Sequence, residues 1–353
     1  MNPLKQVNRW VSSLTAVVCA AGLWTANARM LDDFNDNTKT AWTDFNFGQG
    51  AFGIPTETGG QFRFVLPAAG QDIFTASQKT SENFELKEGR TIEFRVDLIE
   101  GSGTDAFAVL AFIPTSGSPG TLQGYGLAKD SDDVLITKGV QKYFVADDTA
   151  TAELKQQNVA LTLTMKAKGG NVIVTGRILD KDANDAVLWE RTVVDTPAAD
   201  VMEDGDDSPA APYIASGYFT LYCYQQFNAG VAEYSVFYDN AEVYVMDEAV
   251  LDDFNDNTKS GWTDFNFGQG AFGIPTEQGG QFRFELPAAG QDIFTASQKT
   301  TRQFELKEGE RHEFRVDLVD GSGTDAFAVL AFIPTSGSPG TLQGYGLAKD
   351  PDD

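Results

Sequence analysis

The feature that most constrains this chain is a stretch that occurs twice. Residues 31–133 open LDDFNDNTKTAWTDFNFGQGAFGIP, and residues 251–353 open LDDFNDNTKSGWTDFNFGQGAFGIP. The two align without a gap at an offset of 220, and 13 of the 103 aligned positions differ. A period of 220 lies far beyond the roughly 20–50 residues of a solenoid repeat, so each unit is domain-sized. Residues 29–250 hold one complete unit, and residues 251–353 match 31–133 alone. The second copy is therefore expected to be incomplete, with apolar faces and strand edges uncovered. Two expectations follow: the chain is a fragment of a longer one, or the partial copy pairs with another chain by strand exchange.

Where the copies differ, they report on the fold. Val65 becomes Glu285 inside QFRFVL/QFRFEL, while Phe62, Phe64 and Leu66 are matched by apolar residues. Residues two apart in a strand share a face, so Phe62, Phe64 and Leu66 are expected inside, with Arg63 and Val65 in solvent. Ser81–Asn83 becomes Thr301–Gln303, as a loop tolerates. Ile92 becomes His312, and an inward imidazole mid-core is costly, so this position is expected at a fraying strand end.

The N-terminus speaks to compartment. Lys5 and Arg9 precede an apolar run, Trp10–Trp24, and Ala26-Asn27-Ala28 supplies the small residues of a signal-peptidase site. Residues 1–28 read as a secretory signal cleaved after Ala28. The alternatives are an uncleaved anchor, for which the run is short, and a lipoprotein through Cys19, against which bulky Val18 stands. Cleavage removes two cations and no acid, so the net charge moves from −25 to −27. That acidity argues against nucleic acid and anionic membranes as partners. A location outside the cell is expected: secreted, at the cell surface, or periplasmic in a bacterium. Cys223 is then the sole cysteine, no intramolecular disulfide can form, and the unit is held by its core. Sharing parity with Phe219 and Leu221, Cys223 is expected to be a buried thiol.

No long stretch carries a 3.6-residue apolar period. Short alternating runs between Gly, Pro, Asn and Asp clusters dominate, which signals an all-β chain. Strands are expected near 61–66, 73–78, 91–99, 106–113, 122–129, 133–138, 141–146, 158–167, 171–180, 186–194, 216–227 and 232–246. Gly169-Gly170 should make a tight turn and Asp180–Asp185 a longer one. A dozen strands in one unit suggest a two-sheet antiparallel sandwich. Pro197–Pro212, with Glu203, Asp204, Asp206 and Asp207, reads as a solvated loop. The junction Tyr244–Leu251 is too short for a flexible linker.

Four segments carry a resemblance: LDDFND, TIEFRVDL, GYGLAKDSDDVLITKG and GYFTLYCYQQF…YDNAEVYV. Together they resemble the concanavalin A-like lectin/glucanase superfamily, including laminin-G-like domains, over nearly all of residues 31–250. The resemblance implies a jelly-roll sandwich with first and last strands side by side. It does not select one function, because that superfamily holds lectins, glycosidases and adhesive modules.

Candidate chemistry is sparse. The Glu-x-Asp-x-Glu face often carried by the related glucanases is missing; Glu93, Arg95 and Asp97 share a face, but Arg95 separates the acids, as in a charged, solvated sheet. His312 is the sole histidine, which leaves no triad and no zinc ligand set. The glycine clusters lack the context of a phosphate-binding loop. Calcium is the metal that oxygen ligands would suit. Asp33-x-Asn35-x-Asn37 with Asp44 imitates EF-hand spacing but has Thr38 where glycine is needed. By resemblance, a structural Ca²⁺ would instead be held by Asp32 or Asp33 with Asp239; the plain alternative is that Asp32–Asn37 caps a turn. Sugar binding needs exposed rings and planar polar groups. Tyr218, Tyr222, Tyr224 and Gln226 share one strand face opposite Phe219, Leu221 and Cys223, and the expected loop Trp42–Phe52, led by Trp42, is a second candidate. For both, the plain alternative is packing.

The leading expectation is an exported, non-catalytic module that binds a polysaccharide or surface glycan. The alternatives are a structural or adhesive repeat without a small ligand, and a glycosidase or lyase whose catalytic residues go unrecognised.

Overall fold

A computed structural model describes residues 14–47, 54–66, 73–101, 106–113, 124–130, 133–139, 143–147, 157–197, 212–225, 234–267, 275–286, 294–301, 303–305, 310–321, 328–333 and 344–349. They fall into two compact units, Ala26–Asp247 and Met1–Thr25 with Glu248–Asp353. The strands are β1 (Leu14–Asp32), β2 (Trp42–Phe47), β3 (Thr56–Glu57), β4 (Phe62–Leu66), β5 (Ile73–Lys79), β6 (Phe84–Glu85), β7 (Arg90–Gly101) and β8 (Ala106–Ile113). They continue with β9 (Tyr125–Lys129), β10 (Val134–Lys138), β11 (Tyr143–Asp147), β12 (Val159–Lys168), β13 (Asn171–Asp180), β14 (Ala186–Asp195), β15 (Ser216–Gln225) and β16 (Tyr234–Asp252). The last seven are β17 (Trp262–Phe267), β18 (Thr276–Glu277), β19 (Phe282–Leu286), β20 (Phe294–Lys299), β21 (Glu310–Gly321), β22 (Ala328–Phe332) and β23 (Tyr345–Lys349). Among the described residues there is no α-helix, and no helix long and apolar enough to cross a membrane.

In the larger unit one sheet runs β14-β13-β12-β7-β16, with β4 also on β16; the other runs β11-β10-β9-β8-β15-β5-β2. β16 and β1, the unit's last and first strands, are hydrogen-bonded neighbours. β12 pairs antiparallel with β13 and β7, β13 with β14, β16 with β7, and β15 with β8. Alternation drives this arrangement. Phe62, Phe64 and Leu66 on β4 are buried while Val65 is exposed, which is why Glu285 is tolerated at the matching position. The meander β12-β13-β14 turns at Gly169 and Gly170, both at positive φ, a backbone shape that glycine adopts without strain. Its second turn is a 3-10 turn, Lys181–Ala183, capped by Asp180. Two expectations are corrected. Residues 42–47 form β2, paired with β5 from Trp42↔Lys79 to Phe47↔Phe74, instead of opening a loop. Ile92 is no strand end either: it pairs with Met165 and Val245 on its two sides and is fully buried. In the second copy His312 packs against Phe304 and Phe314, and its Nε2 lies 3.0 Å from the Glu305 carbonyl.

The main core fills the space between the sheets and draws on both, with Phe62, Phe94, Phe112, Leu161 and Phe219 at its centre. Two polar struts cross it. Tyr238 of β16 reaches the other sheet, where its hydroxyl accepts from Val109 N at 2.7 Å and donates to the Tyr222 carbonyl at 3.1 Å. Asp195, closing β14, accepts from Lys138 Nζ at 2.7 Å and from the Tyr125 hydroxyl at 2.6 Å, joining β14 to β9 and β10.

The smaller unit repeats part of this pattern. β17 pairs with β20, β18 with β19 and β22 with β23. β1 pairs with β19 from Leu14↔Leu286 to Val18↔Phe282. In the larger unit β16 pairs with β4 in the same register, Tyr234↔Leu66 to Tyr238↔Phe62. The core of the smaller unit is small, with Phe254 and Phe282 buried against Trp262 and Phe284. Tyr345 and Leu347 are 79% and 74% exposed, whereas the matching Tyr125 and Leu127 are 1% and 0% exposed. In the larger unit, side chains from Val134 onward cover those two residues.

Candidate functional site

On the outer face of the second sheet lies a separate aromatic cluster. β15 turns Phe219, Leu221 and Cys223 into the main core, so Tyr222 and Tyr224 point outward. Tyr222 is flanked by Ala76 and Val109, and Tyr224 by Phe74 and Phe107. Phe74 lies 4.6 Å from Tyr222 by ring centroids, and Phe107 stacks on Tyr224 at 6.4 Å and 18°. Ala111, Ala128 and Ile113 extend the face, with Phe45 and Leu135 at its margin. Gly126 belongs here for steric reasons: a Cβ would stand 2.6 Å from Thr137 Oγ1.

The predicted binding residues fare differently. Tyr218 and Tyr224 are half-buried, with part of each side chain open to solvent. Tyr222 is 3% exposed and its hydroxyl is pushed up by burial, so its ring is a floor and not a platform. Gln226 lies outside the described residues, as do Glu203, Asp204, Asp206 and Asp207. Trp42 is corrected. It is buried against Phe34, Phe62 and Phe219, and its Nε1 donates to Asp32 at 2.8 Å. Sequence reasoning included Phe45 in the second candidate stretch and missed Phe74 and Phe107. The readable signal was AFAVLAFI on β8, apolar on both parities, which no strand with one solvated face requires.

None of the protein-family models matches the chain, and no curated protein matches it. Solved structures do. A Bacillus licheniformis β-glucanase is similar at 11% identity over 62% of this chain and 97% of that one, with a TM-score of 0.38. The Emp47p carbohydrate recognition domain is similar at 12% identity over 63% and 95%, with a TM-score of 0.36. An endo-1,3-β-glucanase from Streptomyces sioyaensis is similar at 10% identity over 62% and 96%, with a TM-score of 0.37. These neighbours have the concanavalin A-like lectin and glucanase fold.

The remaining acids are engaged. Asp32 accepts from Lys79 Nζ at 2.7 Å, from Trp42 Nε1 and from Phe34 N at 3.0 Å. Asp33 caps Asn35 N, and Asp239 caps Asn240 N. Burial, then the nearby negative charges of Asp97 and Asp33, raise the Asp239 carboxyl. Among the described residues no group of three or more His, Cys, Asp or Glu could hold a metal. In this structure the carboxylates of Asp32 and Asp33, two of the expected calcium ligands, cap Phe34 N and Asn35 N. The EF-hand spacing dissolves too, since Asp44 accepts from Ser77 and Lys39. Glu93 and Asp97 do share the outer face of the first sheet. Glu93 accepts from Thr164 at 2.9 Å, with Arg177 beside it, and Asp97 is held by Lys181 and Asn240. Arg95 between them is clamped by Asp185, at 2.8 and 3.0 Å, which holds the Asp185 carboxyl below its usual range.

Lys129 on β9 is 2% exposed and donates to the Asp130 carbonyl at 2.9 Å. Burial pushes its ammonium down to about 8. Because the folded value lies below the unfolded 10.5, the unfolded chain binds the extra proton between these values. Stability should therefore rise as pH climbs from about 8 to about 10.5, and Lys129→Met should raise stability at neutral pH by ~1–3 kcal/mol while flattening that limb. Urea denaturation at stepped pH values checks both.

Proposed function

We propose that this chain is an exported module that binds a polysaccharide or surface glycan without acting on it. The observation that supports this reading is the outer face of the second sheet. Tyr224 there is partly open, backed by Phe107 and Phe74, and Tyr218 lies along the same strand. An open ring on a rigid strand stacks on the apolar face of a sugar at little entropic cost. A signal cleaved after Ala28 and the acidic surface suit life outside the cell.

A glycan array probed with the full chain tests the proposal. Tyr224→Ala is expected to weaken a bound glycan about tenfold, the worth of one stacked ring. Tyr222→Ala is unsuitable because that ring is packed. Absence of binding by the parent chain ends this reading. The second reading, a structural or adhesive repeat, is favoured by how much of the aromatic face is already packed, and it predicts an empty array. The exposed Tyr345 and Leu347 favour strand exchange within that reading, which sedimentation would show as association.

A further inference from the structure

Two carboxyl groups outside the aromatic face are placed against each other. The loop after β1 is a chain of side-chain-capped turns: Asp32 caps Phe34, Asp33 caps Asn35 and Asp36 caps Thr38. It docks on the β3–β4 hairpin through two contacts. Gly59 N donates to Asn37 Oδ1 at 2.8 Å, and Thr38 N donates to Glu57 Oε1 at 3.1 Å. Thr38 N also donates to Asp36 Oδ1 at 2.8 Å, so one amide gathers both acids. Glu57 is 7% exposed, and its Oε2 is buried with no donor. Glu57 Oε1 and Asp36 Oδ1 thus sit on the same amide proton, one carboxyl beside the other. Two carboxylates held this close, one of them with a buried oxygen that no donor reaches, repel each other unless one carries a proton.

The second copy builds the pair again. Thr258 N donates to Asp256 at 2.8 Å and to Glu277 at 3.2 Å, and Glu277 Oε2 is likewise buried without a donor.

We propose that Asp36 and Glu57 form a one-proton carboxyl pair that latches the loop Asp32–Lys39 onto the β3–β4 hairpin and releases it when the proton leaves. In the latched state the Glu57 hydroxyl donates to the Asp36 carboxylate; on release the proton passes to solvent and two negative charges face each other. The groups that bear on the pair are Asp32, which opposes a charge on Glu57, and Lys79, which supports one on Asp36. Lys79 is itself tied to Asp32. Burial first, then the contact with Asp36, raises the Glu57 carboxyl from 4.5 to about 7. For a raised acid the extra stability is complete below the unfolded value and is lost as pH climbs through the folded one. The latch therefore holds in mildly acidic solution and loosens near neutrality. A shift of that size corresponds to a ratio of about 300 in proton affinity between folded and unfolded chain.

Hydrogen exchange on the full chain tests this. Peptides reaching Thr40-Ala41 differ from those reaching Ser260-Gly261, so the two copies are read separately. After correction for intrinsic exchange, opening at Thr38 should rise ~10–100-fold between about pH 5 and pH 8.5. Glu57→Gln keeps a neutral donor to Asp36, so it should flatten that rise in the first copy and leave Thr258 following pH as before. Asp36→Asn should flatten it as well. A flat profile in the parent chain overturns the proposal, as does a Glu57→Gln profile that still follows pH. Suppression of the rise by added calcium also overturns it, because the pair would then be holding a cation in place of the proton.

Discussion

Asp195→Ala is expected to destabilise the larger unit by about 3–5 kcal/mol, because it takes the carboxylate out of a buried ion pair. Lys138 and Asp195 are both fully buried, 2.7 Å apart, and Tyr125 donates to the other carboxylate oxygen. Removing the carboxylate takes the buried ion-pair partner from Lys138 Nζ, which also lies 5.8 and 5.4 Å from the rings of Phe144 and Tyr213. Cation–ring attraction of ~0.5–2 kcal/mol cannot replace a buried ion pair. The same change frees the Tyr125 hydroxyl, which also accepts from Tyr213 N at 2.9 Å. In a unit of this size each kcal/mol moves the melting temperature by roughly 2–4 °C, so a fall near 10 °C is expected. The double variant Lys138→Met/Asp195→Leu should recover most of it, since a well-packed apolar pair in such a place is often neutral or better. A single variant that melts with the parent would show that the pair is not buried as described.

Trp42→Ala is expected to cost about 3–5 kcal/mol, as for other large buried aromatics. The ring packs 4.8 Å from Phe62 and 5.8 Å from Phe34, with Lys79 Nζ 5.2 Å from its centre. Its loss opens a cavity where the first loop meets β4 and takes one donor from Asp32. Were Trp42 a ligand platform instead, the variant would lose glycan binding and keep its stability. Urea denaturation beside the glycan array separates the two outcomes.

Much of the fold was legible. Period-two alternation places Phe62, Phe64 and Leu66 inside and Val65 outside, and it puts Cys223 in the core beside Phe219 and Leu221. Burial of one parity is a local property, so a strand read alone reveals it. β2 was harder. WTDFNF carries Asp44 and Asn46 and sits among turn formers, and only pairing with β5 makes it a strand. Position 92 misled because His312 argues from the second copy, where the surroundings of that strand differ; in the larger unit Met165 and Val245 flank it. The candidate site was legible in part. The parity of Tyr218, Tyr222 and Tyr224 is right, but parity cannot tell a floor from a platform. Tyr222 is buried because Phe74 comes over it from β5, and that neighbour stands far away in the chain.

By itself the sequence determined the repeat, the β class, the inward parity of each long strand and the acidic character, all of which rest on spacing and composition. Only the tertiary structure decided which partners the acids meet. Asp32 goes to Lys79 and Trp42, Asp195 to Lys138 and Tyr125, and Glu57 to Asp36. Each of these partners except Asp32–Trp42 lies at least 21 residues away along the chain, where neither period nor propensity reaches, and charge energies depend on separation and burial in space.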